Sequence, residues 1–303
     1  MLWYESLDKK VAEYLPDLQM EKDVPLRRHT SFHIGGPARR MAFPENREQL
    51  VLLMALAEEC GIKPFILGKG TNLLVTDDGL DTLVIKVAER MNDIRLVDEV
   101  TVEADAGVSL ARLAVFAQQN GLAGFEFAHG IPGSLGGAVF MNAGAYGGEM
   151  KQVLVEITAL YEDGVRRLTV EEADLTYRHS TFMDDGAVVL GAKVRLSKDD
   201  PAAIRSRMDD LMARRKATQP LEYPSAGSTF KRPQGNFAGT LIEKTGLKGL
   251  TVGGAQVSVK HAGFLINLGE ATFADVTELI AQVQQKVYQA SGVMLEPEVK
   301  IIR

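Results

Sequence analysis

Nine of the chain's 29 glycines fall between residues 121 and 148, far more than an even spread would put there. Without a Cβ, a glycine lets the backbone approach whatever it packs against, but it weakens any helix or strand it interrupts. The centre of the segment runs Gly130-Ile-Pro-Gly-Ser-Leu-Gly-Gly-Ala-Val-Phe-Met-Asn-Ala-Gly-Ala-Tyr-Gly-Gly-Glu149, and one turn does not need that length. It reads either as loop chemistry or as a backbone surface for a long ligand such as a dinucleotide, and its length favours the ligand. It contains no Gly-x-x-x-x-Gly-Lys-Ser/Thr, no Gly-x-Gly-x-x-Gly that follows a strand and opens a long helix, and no Gly-x-Ser-x-Gly elbow around Ser134.

A second small-residue run, Gly68-Lys69-Gly70-Thr71-Asn72, follows the apolar Phe65-Ile66-Leu67. Its amides could face an anion, or it could be a tight turn between two strands. With 303 residues the chain exceeds one ordinary core, so two or three domains are expected. A composition of 46% hydrophobic and 24% charged residues is that of a globular protein. The net charge of -6 gives no electrostatic footprint for nucleic acid or an anionic membrane. No apolar run reaches membrane-spanning or signal length, and the one cysteine, Cys60, cannot form an internal disulfide. Cys60 is expected to be an inert buried thiol, no metal cluster is expected, and the expected compartment is the cytoplasm.

Periodicity places the elements. Apolar residues at Leu50, Leu53, Met54 and Ala57 predict a helix over 46–60 that stops at Gly61. Strands are expected at 65–67, 73–75, 83–85 and 100–104, and Ser109 caps a helix that ends at Asn120-Gly121. Further strands are expected at 153–160, 165–170 and 187–196. Asp200-Pro201 opens a helix whose last turn carries Arg214, Arg215 and Lys216 and which links two domains. Beyond it lie a short helix at 238–245, strands at 256–259 and 264–267, a helix from Thr272 to about Ala290, and a final strand. Thr272 and Asp275 resemble a capping box.

Five motifs in this order resemble the UDP-N-acetylenolpyruvoylglucosamine reductases over the whole chain. They are Gly68-Lys-Gly-Thr-Asn-Leu-Leu74, Gly130 to Glu149, Tyr177-Arg-His-Ser180, Ser225-Ala-Gly-Ser-Thr-Phe-Lys231 and Leu295-Glu-Pro-Glu-Val299. The short span from Arg178 to Ser228 resembles the family's shorter subclass. Arg232, where the family commonly has Asn, and Arg28-His29 depart from the pattern without touching the residues tied to chemistry. The resemblance implies an α+β protein: an FAD-binding module of the vanillyl-alcohol-oxidase (PCMH) type in two subdomains, 1–86 and 87–200, plus a C-terminal α+β substrate-binding domain, 201–303. The last strand would return to the active site. FAD would be held by Gly68, Lys69, Gly70, Thr71 and Asn72, and by Gly133, Ser134, Gly136, Gly137, Asn142, Gly144, Ala145 and Tyr146.

The implied reaction is NADPH-dependent reduction of UDP-N-acetylglucosamine enolpyruvate to UDP-N-acetylmuramate in peptidoglycan precursor synthesis. Saturating an enolpyruvyl ether needs a hydride at C3, which suits a flavin, and a proton at C2, which suits a protein acid. Negative charge then builds toward the carboxylate and must be met by donors. By resemblance Arg178 and Glu298 stabilise the enolate and Ser228 gives the proton, while Lys231, Arg232 and His261 are candidates for the substrate. Read alone, Arg178 would be a surface ion pair, Glu298 an edge-strand charge with Glu296 as its rival, and Ala226-Gly-Ser-Thr229 a turn. Likewise Lys231 and Arg232 would be a solvated pair and His261 a structural histidine. Two rivals share the glycine loops: a flavin dehydrogenase or oxidase of alcohols or hydroxy acids, and a nucleotide-binding regulator without chemistry.

Overall fold

The computed structural model describes residues 2–88 and 90–303; Met1 and Glu89 lie outside them. The chain packs as two compact units. The first comprises Met1–Lys22, Arg40–Lys69 and Thr82–Arg214, and the second Asp23–Arg39, Gly70–Asp81 and Arg215–Arg303.

In the first unit, helices α1 (Trp3–Tyr14) and α2 (Arg47–Glu59) lie against each other. Leu7 and Val11 of α1 and Leu50, Leu53, Leu56 and Ala57 of α2 share a core with Leu83, Ile85, Val188 and Leu190. The side chain of Asn46 accepts from the Gln49 N–H and so starts α2, and Gly61 ends it at φ +70°. Cys60 is half-buried rather than buried, because it sits at the C-terminal end of α2, at the margin of that core.

An antiparallel sheet of five strands runs in the order Gly164–Leu168, Leu154–Tyr161, Val188–Arg195, Thr101–Asp105, Ile94–Leu96. It shares the larger core with α3 (Leu110–Gln119), the six-residue α4 (Leu135–Phe140), the single turn α5 (Phe182–Asp185) and α6 (Pro201–Thr218). Alternation along Thr101–Asp105 sends Val102 and Ala104 inward, and Leu113 and Ala117 of α3 meet them in one core. A four-stranded sheet has the order Met20–Pro25, Pro37–Ala42, Leu80–Lys86, Phe65–Leu67, its last pair parallel.

The second unit is built on the antiparallel sheet Ser225–Ser228, Phe264–Asn267, Ala255–Val257, Thr251–Val252. The helix α7 (Ala238–Lys244) and the long α8 (Phe273–Ser291) share its core through Leu241, Ile242, Val276, Leu279, Ile280, Val283 and Val287. At the start of α8, Thr272 Oγ1 accepts from the Asp275 N–H at 3.1 Å and Asp275 Oδ2 from the Thr272 N–H at 3.0 Å, the expected capping box. The strand expected at 256–259 ends at Val257, because Ser258 Oγ accepts from the N–H groups of Lys260 and His261 and turns the chain. Strands Leu73–Val75 and Lys300–Ile302 pair in parallel, with Leu73 opposite Lys300.

Candidate functional site

The glycine segment of the first unit is more structured than a loop. After Ser134 it winds into α4, then closes a two-residue hairpin in which Ala145 pairs with Gly148. Tyr146 (φ +55°) and Gly147 (φ +86°) occupy that turn in the left-handed conformation that two-residue hairpins prefer. Tyr146 is exposed there. Several glycines are compulsory. A Cβ on Gly136 would stand 2.8 Å from the Ala106 Cβ, and one on Gly148 would stand 2.5 Å from the ring of Phe127.

Gly68 follows the strand Phe65–Leu67, and a Cβ there would lie 2.5 Å from Ser134 Oγ; one on Gly137 would lie 3.4 Å from the same oxygen. Ser134 is buried, and its hydroxyl has no hydrogen-bond partner among the described residues. A buried hydroxyl without a partner is uncommon enough to need a reason. Side-chain-free backbone on both sides and an unused donor are what a diphosphate-bearing cofactor requires, so these residues fit FAD. Lys69 is half-buried beside them.

Arg178 lies on a tight turn between Thr176 and His179, which bridge to each other, and adopts φ +57°, a conformation that non-glycine residues rarely take. Its Nη2 donates to the Gly144 carbonyl at 3.1 Å and its Nη1 to the Asn142 carbonyl at 3.4 Å, while the Tyr177 ring lies 4.9 Å from its Cζ. The Asn142 side chain, expected at the cofactor, is fully buried and bonded within the chain to Thr176, Glu149 and Lys151. No feature of the sequence announces that network, because its partners stand up to 34 residues apart.

In the second unit Gly70 is fixed by φ +63° and by the His29 carbonyl, 2.1 Å from where its Cβ would be. Thr71 is half-buried. Asn72 Nδ2 donates to the Glu298 carbonyl at 3.2 Å, and the Asn72 carbonyl accepts from the Lys300 N–H at 2.9 Å. On its other side the Glu298 N–H donates to the Thr229 carbonyl at 2.7 Å, and the Lys231 N–H to the Glu296 carbonyl at 2.8 Å. The structure therefore brings the Ser228 and Glu298 segments side by side. Ser228 is exposed and follows a bulge: Ser225 opposes Ile266 and Ser228 opposes Phe264, so one extra residue is accommodated, with Gly227 at φ +77°.

The remaining candidates divide. Lys231 Nζ pairs with Glu296 at 3.3 Å, and the Arg232 guanidinium lies 3.9 Å from the centre of the Phe237 ring. His261 is engaged in the fold: its Nδ1 accepts from the Gly263 N–H at 3.1 Å and its ring meets Phe264 edge-on. That bond leaves the proton on Nε2, and burial holds the imidazole below its ordinary pKa. Lys300, which the sequence did not single out, is half-buried with its pKa lowered by burial and by Lys231, against the pull of Glu298. Among the described residues no three His, Cys, Asp or Glu side chains group as metal ligands, and no helix is long and apolar enough to cross a membrane.

Residues 38–169 match the family model of an FAD binding domain. With its α+β architecture this is by class a flavoprotein of the vanillyl-alcohol-oxidase (PCMH) type. Residues 219–302 match the model of the UDP-N-acetylenolpyruvoylglucosamine reductase C-terminal domain. Reductases of that name from Agathobacter rectalis and Syntrophomonas wolfei are 48% and 47% identical, covering 98% and 97% of this chain and 98% of each relative. The crystal structure of the UDP-N-acetylenolpyruvylglucosamine reductase from Thermus caldophilus matches with a TM-score of 0.82 at 35% identity, over 94% of this chain and 100% of that one. The chain belongs to the UDP-N-acetylenolpyruvoylglucosamine reductase family and is an FAD oxidoreductase.

Proposed function

We propose that this enzyme reduces UDP-N-acetylglucosamine enolpyruvate to UDP-N-acetylmuramate with electrons from NADPH, in the cytoplasmic assembly of peptidoglycan precursors. One observation carries the reading: the Ser228–Lys231 segment runs hydrogen-bonded beside Glu296–Val299. An acid and a second carboxyl donor thus stand on adjacent backbone, an arrangement that an alcohol oxidase or a regulator does not need.

When bound, FAD supplies the hydride for the enolpyruvyl double bond. Gly68, Lys69, Gly70, Thr71 and Asn72 hold it, together with the segment from Gly133 to Tyr146, so that 1–86 and 87–200 serve the cofactor and 201–303 the substrate. Arg178 grips the enolpyruvyl carboxylate through two parallel N–H donors, geometry that a lysine cannot supply. The Ser228 hydroxyl gives its proton to C2, acceptable for so weak an acid because the recipient carbon is strongly basic. Glu298 assists formation of the enolate, as a donor when its carboxyl carries a proton. The half-burial of Glu298 and the anchoring of its backbone on both sides favour it over Glu296, which is exposed and paired with Lys231. Lys231 and Arg232 face the diphosphate, and His261 lines the substrate pocket.

Anaerobic stopped-flow tests this in two stages. NADPH should bleach the flavin, and the UDP-enolpyruvyl sugar should restore its absorbance. In Ser228→Ala the first stage should be unchanged and the second slower by about 10²–10⁴-fold, the usual contribution of a general acid. Recovery at the wild-type rate in that variant would remove Ser228 from the reaction. Bleaching by simple alcohols, with no response to the UDP sugar, would favour the oxidase rival.

A further inference from the structure

Five side-chain hydrogen bonds join the turn that carries Arg178 and its flanks to the last residue of α4 and the segment that follows it. Ser180 Oγ donates to the Phe140 carbonyl at 2.7 Å, Lys151 Nζ to the Leu175 carbonyl at 3.0 Å and Asn142 Nδ2 to the Thr176 carbonyl at 3.0 Å. The other two are the guanidinium bonds to Asn142 and Gly144. Among these five bonds, Asn142 acts on both ends of the contact. Its side chain holds the base of the turn, and its main-chain carbonyl holds the tip of the arginine.

The amide of Asn142 has little left for a ligand. Both oxygen and nitrogen are used inside the chain: Oδ1 accepts from the Lys151 N–H at 2.9 Å, and Nδ2 serves Thr176 and, at 3.2 Å, Glu149 Oε2. The residue is fully buried and sits at φ +40°, which asparagine tolerates better than most side chains. We infer that Asn142 is a positioning residue for Arg178, fixing the guanidinium against the glycine segment, and is not a cofactor ligand through its side chain. The inference rests on the proposed role of Arg178 at the substrate carboxylate. Its chemical consequence is that the guanidinium is held against the glycine segment before the substrate arrives.

The test is a double-mutant cycle in the holoenzyme, with Asn142→Ala, Arg178→Ala and the pair, read by two measurements. FAD affinity comes from fluorescence titration of the apoprotein, and the rate with the UDP-enolpyruvyl sugar comes from reoxidation of the prereduced enzyme. Asn142→Ala should leave FAD affinity unchanged and slow reoxidation by about 10²-fold, the scale on which a misplaced group fails. Over Arg178→Ala it should add no further loss, because its effect passes through that arginine. Asn142→Gly accepts the positive φ without strain and replaces the alanine variant if that one does not fold. Weakened FAD binding with normal reoxidation at saturating FAD would make Asn142 a cofactor ligand and overturn the inference. Equal slowing in both backgrounds would overturn it too, as action independent of Arg178. A wild-type rate in Arg178→Ala alone would instead refute the role of Arg178, and the inference with it.

Discussion

Ser134 carries a buried hydroxyl without a hydrogen-bond partner among the described residues, between two glycines that leave it room. In the apoprotein such a group is a cost, since an unsatisfied buried polar atom forfeits about 1–3 kcal/mol of hydration. Ser134→Ala should therefore leave the apoprotein as stable as before, or more so. Its FAD affinity should nevertheless fall about tenfold or more, the worth of one hydrogen bond to a charged acceptor. Melting curves with and without FAD check both signs: the gap between them should narrow from both ends. An unchanged gap would make Ser134 a packing residue. The sequence offered Ser134 as one small residue in a glycine run, and the motif order marked it as a ligand. That Gly68 faces it across 66 residues could not be read from either. The same holds for Glu298: its motif singled it out, but the clasp by Asn72 and Thr229 depends on strand pairing between distant segments.

Elements were legible where one face repeats. The helices α2, α3 and α8 show apolar residues at helical spacing with a capping side chain at the start, and Leu154–Tyr161 and Val188–Arg195 are β-branched and bounded by turns. The strands that were not anticipated lack such patterns. Met20–Pro25 has a single buried residue, Val24, and Ser225–Ser228 is four small residues held by its neighbour strand. In Pro37–Ala42 alternation puts a charged residue, Arg40, on the buried face with Ala38 and Ala42, where a charge breaks the apolar pattern. Its answer lies on α1: Arg40 Nε and Nη2 reach the two oxygens of Asp8 at 2.7 and 2.8 Å, beneath the Tyr4 ring. The Arg40 hydrogen bond lowers the Asp8 pKa more than any other cause. Asp8→Asn keeps the shape but leaves the buried guanidinium without that countercharge. Losing one partner of a fully buried pair costs 3–5 kcal/mol; with Asp8 a quarter exposed, about 1–3 kcal/mol is expected in urea unfolding at pH 7. Because the folded pKa lies below 3.8, this contribution is present above that value and lost as pH falls through the depressed one. The difference between wild type and Asp8→Asn should accordingly vanish in strong acid. A difference that persists there would assign the loss to packing instead.

At the scale of the whole molecule the two units share one acid-sensitive feature. His129 in the first and His261 in the second are both held below the ordinary imidazole value of 6.5, and burial is the largest cause in each. Arg205 adds to the shift at His129, whose Nδ1 is buried with no partner among the described residues. A proton taken up on unfolding is thus one the folded chain resists. Between the depressed folded values and about 6.5 the unfolded chain binds more protons, so stability rises with pH across that interval and falls as acid is added. The net charge of -6 opposes this, because adding protons relieves self-repulsion in the compact state. The carboxylates with lowered values, Asp8, Asp98 and Asp275 among them, do not decide the matter, since they stay ionised until far more acid is present. Melting temperature should therefore fall between pH 7 and pH 5.5, and His129→Gln combined with His261→Asn should flatten that fall. The asparagine keeps an acceptor for the Gly263 N–H, so lost packing is not mistaken for lost titration. A melting temperature that rises over the same interval would mean that relief of net charge outweighs both imidazoles. An equal slope in wild type and double variant would place the titrating groups elsewhere.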